Sequence, residues 1–279
     1  MAQSALTARG LTRDFRGFRA VDAVDLDVAE GSVHALVGPN GAGKTTLFNL
    51  LTGFLAPTAG RIEVGGRDIT GLPPERIARL GVARSFQITS LFGQLTCREH
   101  VELALAGDLG WKFWRSDKLL HRHHDRAMEL LDMVGLHEYA DITADSLAYG
   151  RKRALELALA LALDPKVMLL DEPTAGMGIE DVDRTVDLIG RVRDGRTVVM
   201  VEHNMSVVGA LADKVTVLQA GKVLVEGAYA DVRDDERVIT AYLGETSGSH
   251  TESAGPDRGD SLRSSGDPAQ GEEAADVAD

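Results

Sequence analysis

Gly38-Pro39-Asn40-Gly41-Ala42-Gly43-Lys44-Thr45-Thr46 reads G-x-x-x-x-G-K-[ST]. Glycines let backbone amides approach an anion closely, and a helix opening at the lysine adds the positive end of its dipole. These residue types suit a nucleoside triphosphate: Lys44 to reach the β- and γ-phosphates, the Thr45 hydroxyl to ligate Mg²⁺. Asp171-Glu172 follows the most hydrophobic of the strand-like runs. One carboxylate there can hold Mg²⁺, directly or through water, while the second orients or polarises an attacking water. By itself, a solvated Asp-Glu-Pro turn would explain the same residues. Gln87 offers a neutral amide that can ligate Mg²⁺ or hold that water. His203 offers an imidazole that can contact the γ-phosphate and stabilise charge in the transition state. Gly150, in Leu147-Ala148-Tyr149-Gly150-Arg151, opens a helical run and can present amides to a second anion, although a simple loop before a helix reads the same way.

The elements around these residues give the pattern its context. An apolar run, Val33 to Val37, precedes the glycine-rich loop, and a helical run, Thr46 to Leu51, follows it. Strand, loop and helix in that order are what a phosphate site requires. Val167 to Leu170 leads into Asp171, and Thr197 to Val201 leads into Glu202-His203. Near-continuous apolar runs of this length fit strands buried on both faces of a parallel sheet. With a helix expected over Asp181 to Arg193, the fold class is α/β, with ligands at the carboxyl ends of the strands. From Ile88 to Tyr149 the pattern turns helical, and Ala127, Leu130, Leu131 and Val134 make one apolar face. The run Arg153 to Leu163 is apolar on most sides and is expected to be buried. The predicted organisation is a core of residues 1–87 and 150–244, a helical insert at 88–149 and a tail at 245–279. That tail has almost no large apolar side chains and is expected to stay disordered.

The 279 residues carry a formal charge of −13. Nine acidic residues and two arginines from Glu245 onward supply −7 of it. No basic stripe is present to neutralise phosphates, which argues against nucleic acid as a partner. The single cysteine, Cys97, excludes an intrachain disulfide and reads as a small core residue. Apolar stretches such as Leu157 to Leu163 fall far short of the roughly 20 residues of a membrane span, so another chain must provide any anchoring. Met1-Ala2-Gln3-Ser4 is expected to run straight into a strand, with no leader, which places the chain in the cytosol by default. His121, His123 and His124, beside Arg122, read as a solvated helix end rather than a metal site. Trp111 and Trp114, around Lys112, Phe113 and Arg115, suit either a contact with a partner chain or lipid head groups, or packing of the insert.

The ordered set GPNGAGKTT, RSFQ, LAYGR, LLDEP and VEHN resembles the ATP-binding subunit of ABC transporters over residues 5 to 244. More narrowly, AVDAVDL, GPNGAGKTTLFNLLTGF, ARSFQ, SLAYGRKRALELA and AYLGE resemble the ATPase subunits of branched-chain amino acid importers, whose near relatives serve urea and short amides. The resemblance implies a P-loop ATPase core with an inserted helical subdomain. It implies ATP and Mg²⁺ bound by residues 38–46, with Asp171 and Gln87 near the metal. Glu172 matches the catalytic base, His203 the switch histidine, and Phe15 an aromatic that stacks on adenine, with Phe18 as its competitor and a place in the core as the other reading of both. Gly150 matches the glycine that meets the γ-phosphate held by a second ATPase subunit, in a homodimer or a heterodimer. Membrane permease subunits and, indirectly, an extracytoplasmic solute-binding protein are the implied partners, on the cytoplasmic face of the membrane. A soluble ABC-type ATPase and a non-hydrolysing regulatory binder are the other readings. Two positions depart from the pattern: Ala148 stands where serine is usual, and Gly178 where aspartate is common. The first removes one hydroxyl contact, worth about 1 kcal/mol.

Overall fold

The computed structural model describes residues 3–84, 91–107 and 123–246. Strands β1 (Ser4–Phe15) and β2 (Phe18–Ala29) form a long antiparallel hairpin. Strands β4 (Ala59–Val64) and β5 (Arg67–Asp68) extend it into a four-stranded antiparallel sheet, β2-β1-β4-β5. A strand was expected at the start of the chain and β1 opens at Ser4, but the antiparallel sheet it belongs to lies outside the sequence expectation. Its strands leave one face partly solvated, so they read as alternating patterns rather than apolar runs.

The second sheet carries the site. It runs β10 (Lys222–Gly227), β9 (Lys214–Gln219), β3 (Val33–Val37), β8 (Thr197–Val201), β7 (Val167–Asp171), β6 (Val82–Arg84), and only the β10–β9 pair is antiparallel. Every residue of β3, β7 and β8 is buried. The pleat sends alternate residues to opposite faces: Val33, Ala35, Val37, Met168, Leu170, Val198 and Met200 join one apolar cluster, and Leu36, Leu169, Val199 and Val201 the other. Burial on both faces is why these segments read as continuous apolar runs.

Helix α1 (Lys44–Leu51) follows β3 and packs Leu47, Phe48 and Leu51 between the two sheets. Helix α2 (Pro74–Arg79) precedes β6. Beyond β6 come α3 (Cys97–Ala106) and α4 (His124–Met133). Thr96 and Glu99 form a reciprocal capping box at the start of α3. Ala127, Leu130, Leu131 and Val134 are buried as their spacing predicts, and so is Cys97. Helix α5 (Tyr149–Ala162) packs on α3, on α4 and on α6 (Ile179–Val192). It is less buried than its composition suggests. Leu155, Leu157, Ala158, Ala160 and Leu161 are covered, but Leu163 just beyond is half-exposed, and Arg153 and Glu156 pair at 3.1 Å within the helix. Helices α7 (Met205–Leu211), α8 (Tyr229–Arg233) and α9 (Glu236–Thr246) complete the described chain. Among the described residues, no helix is long and apolar enough to cross a membrane. Trp111 to Arg115, His121 and the chain after Thr246 lie outside the described residues.

Candidate nucleotide site

The parallel strands β3, β8 and β7 end side by side, so the loop after Val37, the Glu202-His203 pair and the Asp171-Glu172 pair share one edge of the sheet. The loop from Gly38 to Gly43 turns straight into α1. Gly43 has φ 99° and a Cβ there would collide with the Ala20 carbonyl; Gly38 has φ 147° and a Cβ would meet the Leu218 carbonyl. Only glycine permits both the conformation and the close packing. No side chain caps α1 and no acidic residue stands in its first turn, which leaves its N-terminal amides and dipole to an anion. Lys44 is buried, with Nζ donating to the Gly38 carbonyl at 2.6 Å and the Pro39 carbonyl at 2.8 Å. The ammonium is thus folded over the loop whose anion it would meet. Thr45 is exposed at the front of the helix.

The neighbouring elements brace this loop. The Gly221 N–H donates to the Ala42 carbonyl, and the Asp22 backbone N–H donates to the Gly221 carbonyl. Ala20 lies two residues after Phe18, so the tip of the β1–β2 hairpin borders the loop. There Phe15 and Phe18 pair across the hairpin, and both are exposed rather than core. Arg13 lies 4.6 Å from the centre of the Phe15 ring and covers one face of it. Beneath the loop His34, mid-β3, is fully buried, its Nε2 2.7 Å from Thr216 Oγ1. Burial lowers its pKa to about 4, against a smaller opposing pull from Glu226, so the ring is neutral.

Asp171 is buried at the end of β7, with Oδ2 accepting from Arg84 at 2.6 Å. Its Oδ1 is buried without a hydrogen-bond partner among the described residues. A hard cation or its bound water suits such an oxygen, and the exposed Thr45 hydroxyl adds a second oxygen donor, so these residues fit Mg²⁺. Glu172 has φ 47°, an unfavourable conformation for a non-glycine residue, at about 1–3 kcal/mol. Its Oε1 lies 2.7 Å from His203 Nε2, and since an ionised carboxylate only accepts, the ring nitrogen donates. The structure therefore brings Glu172 and His203 into direct contact. Gln87 lies outside the described residues.

Gly150 sits in the first turn of α5, after an N-cap, Ala148, that makes no side-chain cap. The Tyr149 hydroxyl donates to the Ala175 carbonyl at 3.3 Å, and Arg151 stacks on Tyr139 at 4.1 Å. His124 lies 3.5 Å from buried Glu102, and the described residues contain no cluster of three or more His, Cys, Asp or Glu suited to a metal.

Arg84 was not singled out by the sequence. It closes β6, pairs with Asp171, donates to Asn49 Oδ1 at 2.6 Å and packs over Phe48 and Phe54. It thereby ties the end of β7 to the helix that starts at the phosphate loop. A long cation ending a buried strand was the available signal, because arginine is rarely buried unless paired.

The family profile described as "ABC transporter" matches residues 21–175. The chain belongs to this family. A second profile, "Branched-chain amino acid ATP-binding cassette transporter", matches residues 222–247. The high-affinity branched-chain amino acid transport ATP-binding protein BraF of Pseudomonas aeruginosa is 40% identical over 254 residues, covering 88% of this chain and all of that protein. LivG of Salmonella typhimurium, of the same description, is 38% identical over 259 residues, again covering 88% and 100%. The ADP conformation of an ATP-binding cassette of an ABC transporter superposes with a TM-score of 0.76 at 26% identity, over 86% of this chain and 99% of that one. A dimeric cassette bound to ADP and Pi gives 0.68 at 25%, over 80% and 98%. Nucleotide binding and ATP hydrolysis come with membership of the ABC ATPases, and the α/β core with its helical insert is the fold they share.

Proposed function

We propose that this ABC ATPase powers an importer of branched-chain amino acids or a related small polar solute. The observation that carries this reading is the match of residues 222–247 to the branched-chain amino acid cassette, joined to full-length coverage of BraF and LivG. It works at the cytoplasmic face of the membrane, attached through permease subunits that receive solute from an extracytoplasmic binding protein.

In this reading residues 38–46 hold the triphosphate, and Lys44 leaves the Gly38 and Pro39 carbonyls for the β- and γ-phosphates. Phe15 stacks on the base. Thr45, Asp171 and Gln87 hold Mg²⁺, which neutralises charge on the phosphate oxygens. Glu172 takes the proton of the attacking water, and His203, already bonded to Glu172, places its imidazole toward the γ-phosphate. Gly150 contacts the γ-phosphate bound to a second ATPase subunit. ATP then favours a closed dimer, and loss of the bridging phosphate opens it. Residues 1–87 and 150–244 act as the catalytic core and residues 88–149 as the helical unit that moves against it.

The test is Glu172→Gln. Hydrolysis falls by at least about 100-fold while nucleotide affinity stays near the parent value, and ATP shifts the protein to a dimer in light scattering. Wild-type turnover in this variant would show the base to be misassigned. In parallel, parent turnover should rise with permease subunits and not with RNA or DNA; the reverse would point to a soluble, non-transport ATPase.

A further inference from the structure

Glu202 is a buried carboxylate with no part in the chemistry described so far, and its contacts are unusually complete. Its Oε1 accepts from the Thr174 N–H at 3.1 Å and the Thr174 hydroxyl at 2.7 Å. Its Oε2 accepts from the His203 N–H at 3.0 Å and the Asn204 N–H at 3.3 Å. One oxygen thus serves the loop after β7, the other the loop after β8. Both loops leave the same edge of a parallel sheet, where strand pairing stops and backbone donors need other partners. Glu172 lies two residues before Thr174 in an unfavourable backbone conformation, and His203 directly follows Glu202. Such a conformation persists only where its surroundings over-determine it.

We propose that Glu202 is the positioning residue that sets the Glu172–His203 contact, by pinning the two loops that carry these groups to a single carboxylate. The proposal rests on the reading of Glu172 and His203 as the hydrolytic pair. Its chemistry makes a sharp demand. Each oxygen faces a backbone N–H, so an amide at this position must turn its NH₂ toward a donor whichever way it flips. Glutamine, nearly the same shape, therefore fails, whereas aspartate keeps two acceptors and loses only reach.

The experiment compares Glu202→Gln, Glu202→Asp and Thr174→Val in the full chain, with Glu172→Gln alongside. Three quantities are read: kcat, affinity for a fluorescent ATP analogue, and hydrogen exchange of the segments holding Thr174 and His203. Glu202→Gln should lower kcat at least tenfold, leave analogue affinity within threefold and speed exchange in both segments; Glu202→Asp should recover part of kcat. Thr174→Val should lose a smaller factor, and the double variant with Glu202→Gln should fall little below Glu202→Gln alone. Parent kcat with parent exchange in Glu202→Gln overturns the proposal, as does an equal fall in analogue affinity, which would mark a general loss of structure. If Glu202→Gln does not fold, Thr174→Val decides: parent kcat and exchange there overturn it. If Glu172→Gln hydrolyses at the parent rate, the assignment of the base has failed, and exchange at Thr174 and His203 still decides whether Glu202 holds the loops.

Discussion

Asp171 and Glu172 stand at the end of a fully buried strand, Lys44 opens the helix that follows another, and each is tied down inside its own chain, Asp171 by Arg84, Glu172 by His203 and Lys44 by loop carbonyls. Ala148 to Arg151 present the opposite arrangement. Ala148, Tyr149 and Arg151 are exposed, the helix they open has no side-chain cap, and its side-chain ties are two long hydrogen bonds at the Tyr149 hydroxyl, one to the Ala175 carbonyl and one from Arg153, with Arg151 over Tyr139 and Arg153 over Tyr149. The first region is organised before anything binds. The second is a helix end held out toward solvent. Under the proposed function, the difference teaches that the triphosphate-binding and water-activating groups are braced within one chain, whereas the second anion contact is offered outward.

Arg84→Met breaks the organised half most severely. It leaves the Asp171 carboxylate buried without its cation, which costs about 3–5 kcal/mol. Urea denaturation should show that loss, and Mg²⁺ with nucleotide should recover more stability in the variant than in the parent, because Asp171 regains a cationic partner. An unchanged midpoint would mean the pair contributes little to holding this edge together.

The strand under the loop has its own pH limit. His34 titrates near 4 in the folded chain and near 6.5 unfolded, so on acidification the unfolded chain takes up the proton first. Stability present above about pH 6.5 is lost as pH falls towards 4, by about 3 kcal/mol in all. Glu226, Lys214 and Asp27 are the charged groups acting on this ring. His34→Gln should flatten the difference between denaturation midpoints at pH 7.5 and pH 4.5; an equal slope in both proteins would place the acid sensitivity elsewhere.

Ala148→Ser sharpens the exposed half, with the smallest effect. A serine at this N-cap supplies the missing side-chain acceptor and should raise stability by about 1 kcal/mol without nucleotide. If its hydroxyl also meets a phosphate held by a second subunit, the ATP concentration that drives dimerisation falls as well. A stability gain with no change in dimerisation would assign the whole effect to the cap.

The chemical inventory was legible in the chain itself. The glycine-rich loop between an apolar run and a helix, and the carboxylates and histidine ending two more apolar runs, depend on local order, and burial on both faces of the sheet wrote those runs into the composition. Exposure of Phe15 and Phe18, the antiparallel second sheet and the half-buried character of α5 were decided by packing partners far along the chain. The same holds for Arg84 on Asp171, 87 residues apart, and for Glu202 across Thr174, 28 residues apart. Such pairs exist because parallel strands set distant chain segments side by side. Their register is a property of the whole sheet, and no short window of residues contains it.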